Sequence, residues 1–453
     1  MLNDKSLGTI LKSNLPPLKV DDVHWKTQDS TSSSLLFYRI GEDASAERSF
    51  IERIGKASYA WLIVNRKIQG LPLNSSVINE DLWPEIQKNC LDKIFPMPVL
   101  KLMALTGTNG KTTTTDLVLQ LGELMGKKGL SIGTLGVREN HKTLLDFGLT
   151  SPSLIDLRKF LFKYGQDKDF CVLEASSHAL VQGRLFGLEF DGAGWLSFSQ
   201  DHLDYHHTME DYFDAKCLLL NLLLPKAKIF IPAEQAALYE CVAGKTTVCE
   251  KASTIDENLP VFFQTRFNRN NLEVAVALLS DIFRIAVPRT WDKIVPPDGR
   301  FFIRPYKSNY IVVDFAHTPD ALENICKAIK EAFPEHRLKV LFGCGGDRDR
   351  NKRPKMGSVA ECWADHVYLT SDNPRSEEPS QIIDDISKGI KNKSFERLVE
   401  RPAAVQKAFS ELKEKEVLLL AGKGHEDYIL IKGVKHPYSD IREVEQFIAR
   451  KSS

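Results

Sequence analysis

The 453-residue chain lacks an excess of either charge: 60 Lys+Arg stand against 60 Asp+Glu, a formal net charge of zero. Nothing general draws such a chain to polyanionic nucleic acid or an anionic membrane, so any phosphate recognition has to be local. Long apolar runs are also missing. The longest, LLLNLLLP from Leu218 and VVDFAH from Val312, fall far short of the roughly 20 residues a membrane span needs. The start, MLNDKSLGTILKSNLPP, has no cationic stretch followed by an unbroken apolar core, so it does not read as a secretory signal, and a cytoplasmic home is expected. No CxxC pair occurs among Cys90, Cys171, Cys217, Cys241, Cys249, Cys326, Cys344 and Cys362. Several of them sit in apolar runs, which favours buried thiols over a zinc site or a disulfide framework.

There is no internal repeat, and the only low-complexity stretch is the short TSSS at Thr31–Ser34. What is present is a soluble globular composition, 43% hydrophobic and 26% charged, in a chain about three times the usual domain length of roughly 150 residues. Prolines in Ile94-Phe-Pro-Met-Pro98 precede the run VLKLMAL, and VPPDGRFF at Val295–Phe302 precedes YIVVDFAH. These breaks suggest domains at 1–98, 99–299 and 300–453. Beyond residue 98, short apolar runs alternate with amphipathic stretches of helix length, as in parallel α/β sheets. Seven such runs each lead into a polar cluster: VLKLMAL into TGTNGKT, FCVLEA into SSHAL, GWLSFS into QDHLD, YIVVDFAH into TPDAL, LKVLFG into CGGDRDR, HVYLTS into DNPR and EVLLLA into GKGHE. Ligands of open α/β sheets bind at the carboxyl ends of strands, so an active site is expected in the cleft between the second and third domains.

The segment Thr106-Gly-Thr-Asn-Gly-Lys-Thr112 follows an expected strand and precedes an expected helix at Thr113–Met125. Its backbone N–H groups and the helix N-terminus suit phosphate oxygens, Lys111 the β/γ-phosphates, and the Thr112 hydroxyl Mg²⁺. The match to the usual phosphate loop is incomplete, because Leu105 stands where the first glycine belongs, leaving Gly107 and Gly110 to make the turn. Glu174, His202 and Lys216 could add metal ligands, although Mg²⁺ prefers oxygen over imidazole. Taken alone, Lys216 in EDYFDAKCLL reads as a salt-bridged helix residue, and His178, His206 and His207 as hydrogen-bonded structural groups.

The motifs TGTNGKTTTT, EASSHALVQGR, DHLDYH followed by AK, FNRNN, DFAHTPDALE, FGCGGDRDRNKRP, DNPRSEEP and AGKGHEDY together resemble the Mur ligase family, most closely its MurE type, from about residue 99 to the end. The resemblance implies a three-domain α/β architecture: a small N-terminal α/β domain, a central phosphate-loop ATPase domain with a mostly parallel sheet, and a C-terminal Rossmann-like α/β domain. It implies ATP-dependent amide bond formation in peptidoglycan precursor synthesis, through an acyl phosphate on UDP-N-acetylmuramoyl-L-alanyl-D-glutamate that the amine of meso-diaminopimelate attacks. A carboxylate is a poor electrophile until phosphate becomes its leaving group, so the transfer needs chiefly charge neutralisation and alignment.

By the same resemblance ATP is held by Gly107, Thr108, Asn109, Gly110, Lys111 and Thr112, with Asn271, Asp314 and His317 at base and ribose and Arg300 at the domain junction. Lys111, Glu174, His202 and Lys216 carry the catalytic roles. Thr112, Glu174, His202 and Lys216 hold Mg²⁺, Lys216 as a carbamate formed from CO₂, an anionic oxygen donor suited to a hard cation. Thr150, Ser151, Ser176, Gln182 and Arg184 correspond to positions that hold the muramoyl-dipeptide. Arg348, Asp372, Asn373, Arg375, Gly422 and Glu426 form the amino-acid pocket. The Arg375 guanidinium suits the distal carboxylate that diaminopimelate has and lysine lacks, and Glu426 the distal ammonium. A monomer acting on small-molecule substrates is expected, with no nucleic acid partner and no membrane span.

Three departures from the family pattern concern substrate choice. Asp29-Ser30-Thr31 is at best a remnant of the DSR turn, SSSLLFYRIGEDASAERSF lacks the family's glycine pattern, and Thr265 replaces the glycine before FNRNN. Two alternatives therefore stay open: a diverged amide ligase of the Mur superfamily acting on another substrate, and a non-catalytic nucleotide-binding paralogue.

Overall fold

A computed structural model of the protein describes residues 2–452 except 14, 141, 247–248, 256–258 and 298. Strands β1 (Leu2–Asn3) and β2 (Lys19–Val20) form a short antiparallel ladder. Strands β3 (Asp22–His24), β4 (Ser34–Tyr38), β5 (Trp61–Val64) and β6 (Ser75–Val77) form a four-stranded sheet, parallel throughout. Side chains alternate across a strand, and both faces here are covered. Val23, Leu35, Phe37, Trp61 and Ile63 pack into one core, while Leu36, Leu62 and Val64 join Ile40, Phe50 and Ile54 in another. The helix Ala44–Gly55, which supplies Phe50 and Ile54, starts at Asp43, whose side chain accepts the Ala46 N–H.

The largest sheet contains β7 (Lys101–Thr106), β8 (Gly129–Gly133), β9 (Gly136–Glu139), β10 (Lys142–Leu145), β11 (Phe170–Glu174), β12 (Phe190–Trp195), β13 (Leu223–Ile231) and β14 (Cys249–Lys251), in the order β10-β9-β8-β11-β7-β12-β13-β14. Pairings β8–β11 and β13–β14 are parallel, whereas β8–β9–β10 is an antiparallel meander. The strand β12 ends where the apolar run GWLSFS predicts that one begins. Its sequence FDGAGW is glycine-rich, because the backbone is approached closely: a Cβ at Gly194 would lie 2.6 Å from Val274 Cγ1 and 2.8 Å from Leu105 Cδ2. Such packing hides the strand from a reading based on apolar runs.

A six-stranded sheet follows, built from β15 (Phe302–Tyr306), β16 (Asn309–Asp314), β17 (Arg337–Phe342), β18 (His366–Leu369), β19 (Phe395–Arg397) and β20 (Glu416–Ala421) in the order β15-β16-β20-β17-β18-β19. Only the β15–β16 pairing is antiparallel. All six residues of β20 are buried, as expected for a parallel strand covered on both faces. A hairpin, β21 (Tyr428–Ile431) and β22 (Val434–Pro437), closes the chain before the helix Asp440–Ser452.

By internal contacts the chain divides into two compact units. One comprises Met1–Ala104, Gly126–Ala193 and Leu218–Lys228; the other comprises Leu105–Met125, Gly194–Cys217 and Ile229–Ser453. No described helix is long and apolar enough to cross a membrane. All eight cysteines are free, five of them buried and Cys241 and Cys362 exposed.

Candidate active site

The segment Thr106–Thr112 turns between β7 and the helix Lys111–Leu124 on two glycines with positive φ, Gly107 at 144° and Gly110 at 91°. Gly110 is also sterically required, since a Cβ there would lie 2.5 Å from Asn271 Oδ1. Asn271, on the helix Arg266–Phe283, is thus brought to the loop. Lys111 Nζ donates to the carbonyls of Gly107 (2.7 Å) and Thr108 (2.9 Å), so the cation lies folded over the turn. Thr108 is pinned through its N–H to Ser197 O (3.0 Å) and its hydroxyl to Ser199 O (3.1 Å). Asn109 donates its backbone N–H to Ser197 Oγ (2.9 Å) and its side-chain amide to Asp320 Oδ2 (3.0 Å). Arg300 Nη2 reaches Thr112 Oγ1 at 3.3 Å while its guanidinium lies 4.4 Å from the Phe315 ring centre.

Lys216 is not the salt-bridged surface lysine its local sequence suggests. It is 1% exposed, with Nζ donating to Gly107 O at 3.1 Å and lying 4.5 Å from the centre of the Tyr212 ring. Burial, and then the nearby Lys111 charge, push its amine well below the ordinary lysine range, against the pull of Asp201. Two lysines 105 positions apart therefore share one carbonyl of the phosphate loop.

Asp201, which local sequence does not single out from its neighbours in QDHLD, lies among His202, His317 and Lys352. Burial would raise its carboxyl, but His202, His317 and Lys352 hold it below the usual range. His202 takes the left-handed conformation (φ 56°) and donates its N–H to Asp201 Oδ1 at 2.9 Å. His317 has its Nδ1 2.9 Å from Phe315 O, and burial, reinforced by Lys352, pushes it down to about 4. Asp314 is occupied by backbone: Oδ2 accepts the Phe301 N–H and Oδ1 the Ala316 N–H, both at 2.8 Å. Burial raises its carboxyl in spite of Arg300.

A second constellation forms at the end of β11. Glu174 Oε1 accepts the Thr134 N–H (2.8 Å) and Oε2 the Thr134 hydroxyl (3.1 Å), and that hydroxyl also lies 3.3 Å from Thr150 Oγ1. Ser151 Oγ donates to Glu174 O (2.7 Å) and reaches Ser176 Oγ (3.2 Å). Arg184 Nη1 donates to Ser151 O (2.7 Å) and its Nε to Gln182 Oε1 (2.9 Å). Thr150, Ser151, Glu174, Ser176, Gln182 and Arg184, spread over 35 positions, thus make one hydrogen-bonded group. Thr134, which organises it, lies in the plain sequence GTLG and gives no signal of its own.

The third constellation is built on the carboxyl ends of β17, β18 and β20. Asp372 and Asn373 are buried after β18. A Cβ at Gly422, which has φ 106°, would lie 2.5 Å from Asp372 Oδ2. Arg375, also at positive φ (54°), donates Nη1 to Gly346 O at 2.9 Å, and its backbone pairs with Leu430 and Lys432. Burial, and then the neighbouring Arg348, lower its basicity. Asn373 Nδ2 donates to Glu426 Oε2 at 2.8 Å. The loops are braced from behind by Arg353, which spans Glu377 (2.8 Å) and Asp385 (3.0 Å). Arg401, ion-paired to Asp440 at 2.6 Å, caps the carbonyls of Ser371 and Ala421.

Comparison with known proteins reads the same segments. Residues 105–280 match the Mur ligase middle domain and residues 299–424 the Mur ligase, glutamate ligase domain. A UDP-N-acetylmuramoyl-L-alanyl-D-glutamate–2,6-diaminopimelate ligase of Aquifex aeolicus is 36% identical, covering 91% of this chain and 90% of the relative. The chain belongs to the Mur ligase family. Among solved structures, one of the same ligase type superposes on this Mur ligase with a TM-score of 0.62 at 27% identity, covering 99% of both chains. The MurF ligase of Thermotoga maritima, solved with ADP, shares the fold at a TM-score of 0.64 and 13% identity, covering 95% of this chain and 98% of its own. The multi-domain α/β architecture with a large, mostly parallel sheet is that of Mur ligases, and the activity is that of a ligase of peptidoglycan precursor synthesis.

Proposed function

We propose that this Mur ligase joins meso-diaminopimelate to UDP-N-acetylmuramoyl-L-alanyl-D-glutamate, using ATP and an acyl phosphate. The observation that carries the amino-acid choice is that Arg375 and Arg348 both flank Gly345, near Asp372 and the hydrogen-bonded Asn373 and Glu426. Diaminopimelate offers a distal carboxylate to the guanidiniums and a distal ammonium to Glu426, whereas lysine has no distal carboxylate to offer them. A buried charge deprived of its partner disfavours the wrong ligand strongly.

In this reading the three domains are 1–98, 99–299 and 300–453, and the protein works as a monomer in the cytoplasm. The loop Gly107–Thr112 carries the phosphates on its backbone and on Lys111; the helix that begins at Lys111 adds N–H groups without intrahelical partners. Asn271, Arg300, Asp314 and His317 serve the nucleoside side. Thr150, Ser151, Ser176, Gln182 and Arg184 hold the muramoyl-dipeptide.

Mg²⁺ would be held by Thr112, Glu174, His202 and Lys216, and would neutralise phosphate charge. The fit depends on the state of Lys216. An ammonium there repels a divalent cation, but the lowered basicity favours the free amine, which adds CO₂ and releases one proton to give a carbamate. That carbamate supplies the oxygen donor a hard cation takes.

The test is phosphate release with ATP, Mg²⁺ and UDP-N-acetylmuramoyl-L-alanyl-D-glutamate, run with meso-diaminopimelate, with L-lysine or with no amino acid, and with the product mass recorded. Turnover to a tripeptide product with diaminopimelate alone is expected. Silence in all three arms would refute the reading and favour an altered nucleotide sugar. The family's uridine-domain signature is weak here, and Asp29-Ser30-Thr31 lies in a short turn hydrogen-bonded to Lys26, Thr27, Ser33 and Ser34.

A further inference from the structure

Lys423, between Gly422 and Glu426 in the loop after β20, has no role in the reading above, yet it is fully buried. Its Nζ donates to Glu426 Oε2 at 2.8 Å and to Asn373 Oδ1 at 2.9 Å, lies 3.7 Å from Asp372 Oδ1, and sits 5.5 Å from the centre of the Tyr428 ring. The Asn373 amide is thereby fixed in one orientation. Its Oδ1 takes two donors, Lys423 Nζ and the Leu430 N–H (2.8 Å), and its Nδ2 faces Glu426 Oε2. Lys423 and Asn373 thus both engage Oε2 of Glu426, which leaves Oε1 as the oxygen to accept an incoming ammonium.

We propose that Lys423 is a positioning residue for the amino-acid substrate, orienting the Glu426 carboxylate and the Asn373 amide so that Oε1 of Glu426 meets the substrate's distal ammonium. This rests on the assignment of the amino-acid pocket made above. Without the Lys423 charge the carboxylate and the amide both lose a donor and swing among rotamers, and the binding entropy that preorganisation had removed returns. The loss falls on amino-acid binding, because neither the phosphate loop nor the muramoyl-dipeptide group is among the contacts of Lys423.

The experiment compares wild type, Lys423→Met, Glu426→Gln and the double variant in steady-state kinetics, varying meso-diaminopimelate, ATP and the nucleotide substrate in turn. Lys423→Met is expected to raise KM for meso-diaminopimelate on the order of 10-fold or more, with KM for ATP and for the nucleotide substrate within about 2-fold, as for a lost charge-assisted contact. The double variant is expected to be no worse than Glu426→Gln alone, because Lys423 acts through Glu426. It also removes the Glu426 charge that Lys423→Met strands, so it keeps the comparison available should Lys423→Met fail to fold. An unchanged KM for diaminopimelate in Lys423→Met, an equal rise in all three KM values, or fully additive losses in the double variant would overturn the proposal. Absence of wild-type turnover with diaminopimelate would instead overturn the functional reading, and the role of Lys423 with it.

Discussion

Two lysines of this chain are almost completely buried beyond the carboxyl ends of parallel strands, and they are buried in opposite ways. Lys216 meets a carbonyl, an aromatic face and the neighbouring charge of Lys111, with Asp201 as its attractive charge. Lys423 meets a carboxylate at 2.8 Å, an amide oxygen at 2.9 Å and a second carboxylate at 3.7 Å. Removing an ammonium from water is costly unless it is paired and hydrogen-bonded, and an insufficiently paired one sheds its proton instead. The first environment favours a free amine and therefore chemistry at nitrogen; the second, with a carboxylate and an amide oxygen within hydrogen-bond reach, fixes the side chain and therefore favours geometry. Burial of a lysine says little about its role until the charges around it are known.

The largest expected effect that tests this contrast is at the phosphate loop. Lys216→Ala should lower kcat by more than about 100-fold, the loss that follows even from disturbing groups one step removed from a metal. Acetate or formate should restore part of the activity if a carbamate oxygen is what is missing; full activity of Lys216→Ala would remove the basis of the comparison. At the other end, Arg375→Ala should raise KM for meso-diaminopimelate by about 10- to 100-fold, the worth of a charge-assisted hydrogen-bonded pair. Discrimination against L-lysine should shrink by a similar factor in competition assays.

Stability separates the two lysines directly. Lys423→Met leaves Glu426 without its cation and should cost about 2–4 kcal/mol, seen as a lowered thermal midpoint. Lys216→Met removes a buried amine hydrogen-bonded to Gly107 O and keeps the apolar stem, so it should change stability by less than about 1 kcal/mol or raise it. Equal losses would break the distinction.

The last effect concerns pH. His317, pushed down to about 4 from an ordinary 6.5, takes up its proton in the folded state only well below the pH at which the unfolded chain does. Between these values the unfolded state binds more protons, so the stability contribution is complete above pH 6.5 and is lost as pH falls towards 4. His317→Asn should flatten that part of the stability profile, measured by thermal melts from pH 7 to pH 4.

The cluster proposed as the amino-acid pocket is legible in the sequence as strand-end clusters, because DNPR and GKGHE each lie right after an apolar run; its role there is what the family resemblance implies. Lys423 stays hidden inside GKGHE, since sequence does not tell which residue of that stretch points inward. The start of strand β12 lies four residues ahead of the apolar run that signals it, because Asp191 and Gly192 interrupt the apolar pattern there. Lys216 looks like a surface residue in isolation, since its Gly107 partner is 109 positions away. Thr134 is invisible for the same reason: its partners Glu174 and Thr150 come together only when β11 pairs beside β8.

By itself the sequence determined the class of chemistry, because a phosphate loop, strand-end clusters and their order are local patterns that backbone preferences impose on any chain able to fold them. Only the tertiary structure decided which charges are neighbours. Electrostatic energy depends on distance and burial rather than on separation along the chain, so it took folding to bring Lys111 beside Lys216, to place Lys352 and two histidines around Asp201, and to set Lys423 against the Glu426 carboxylate.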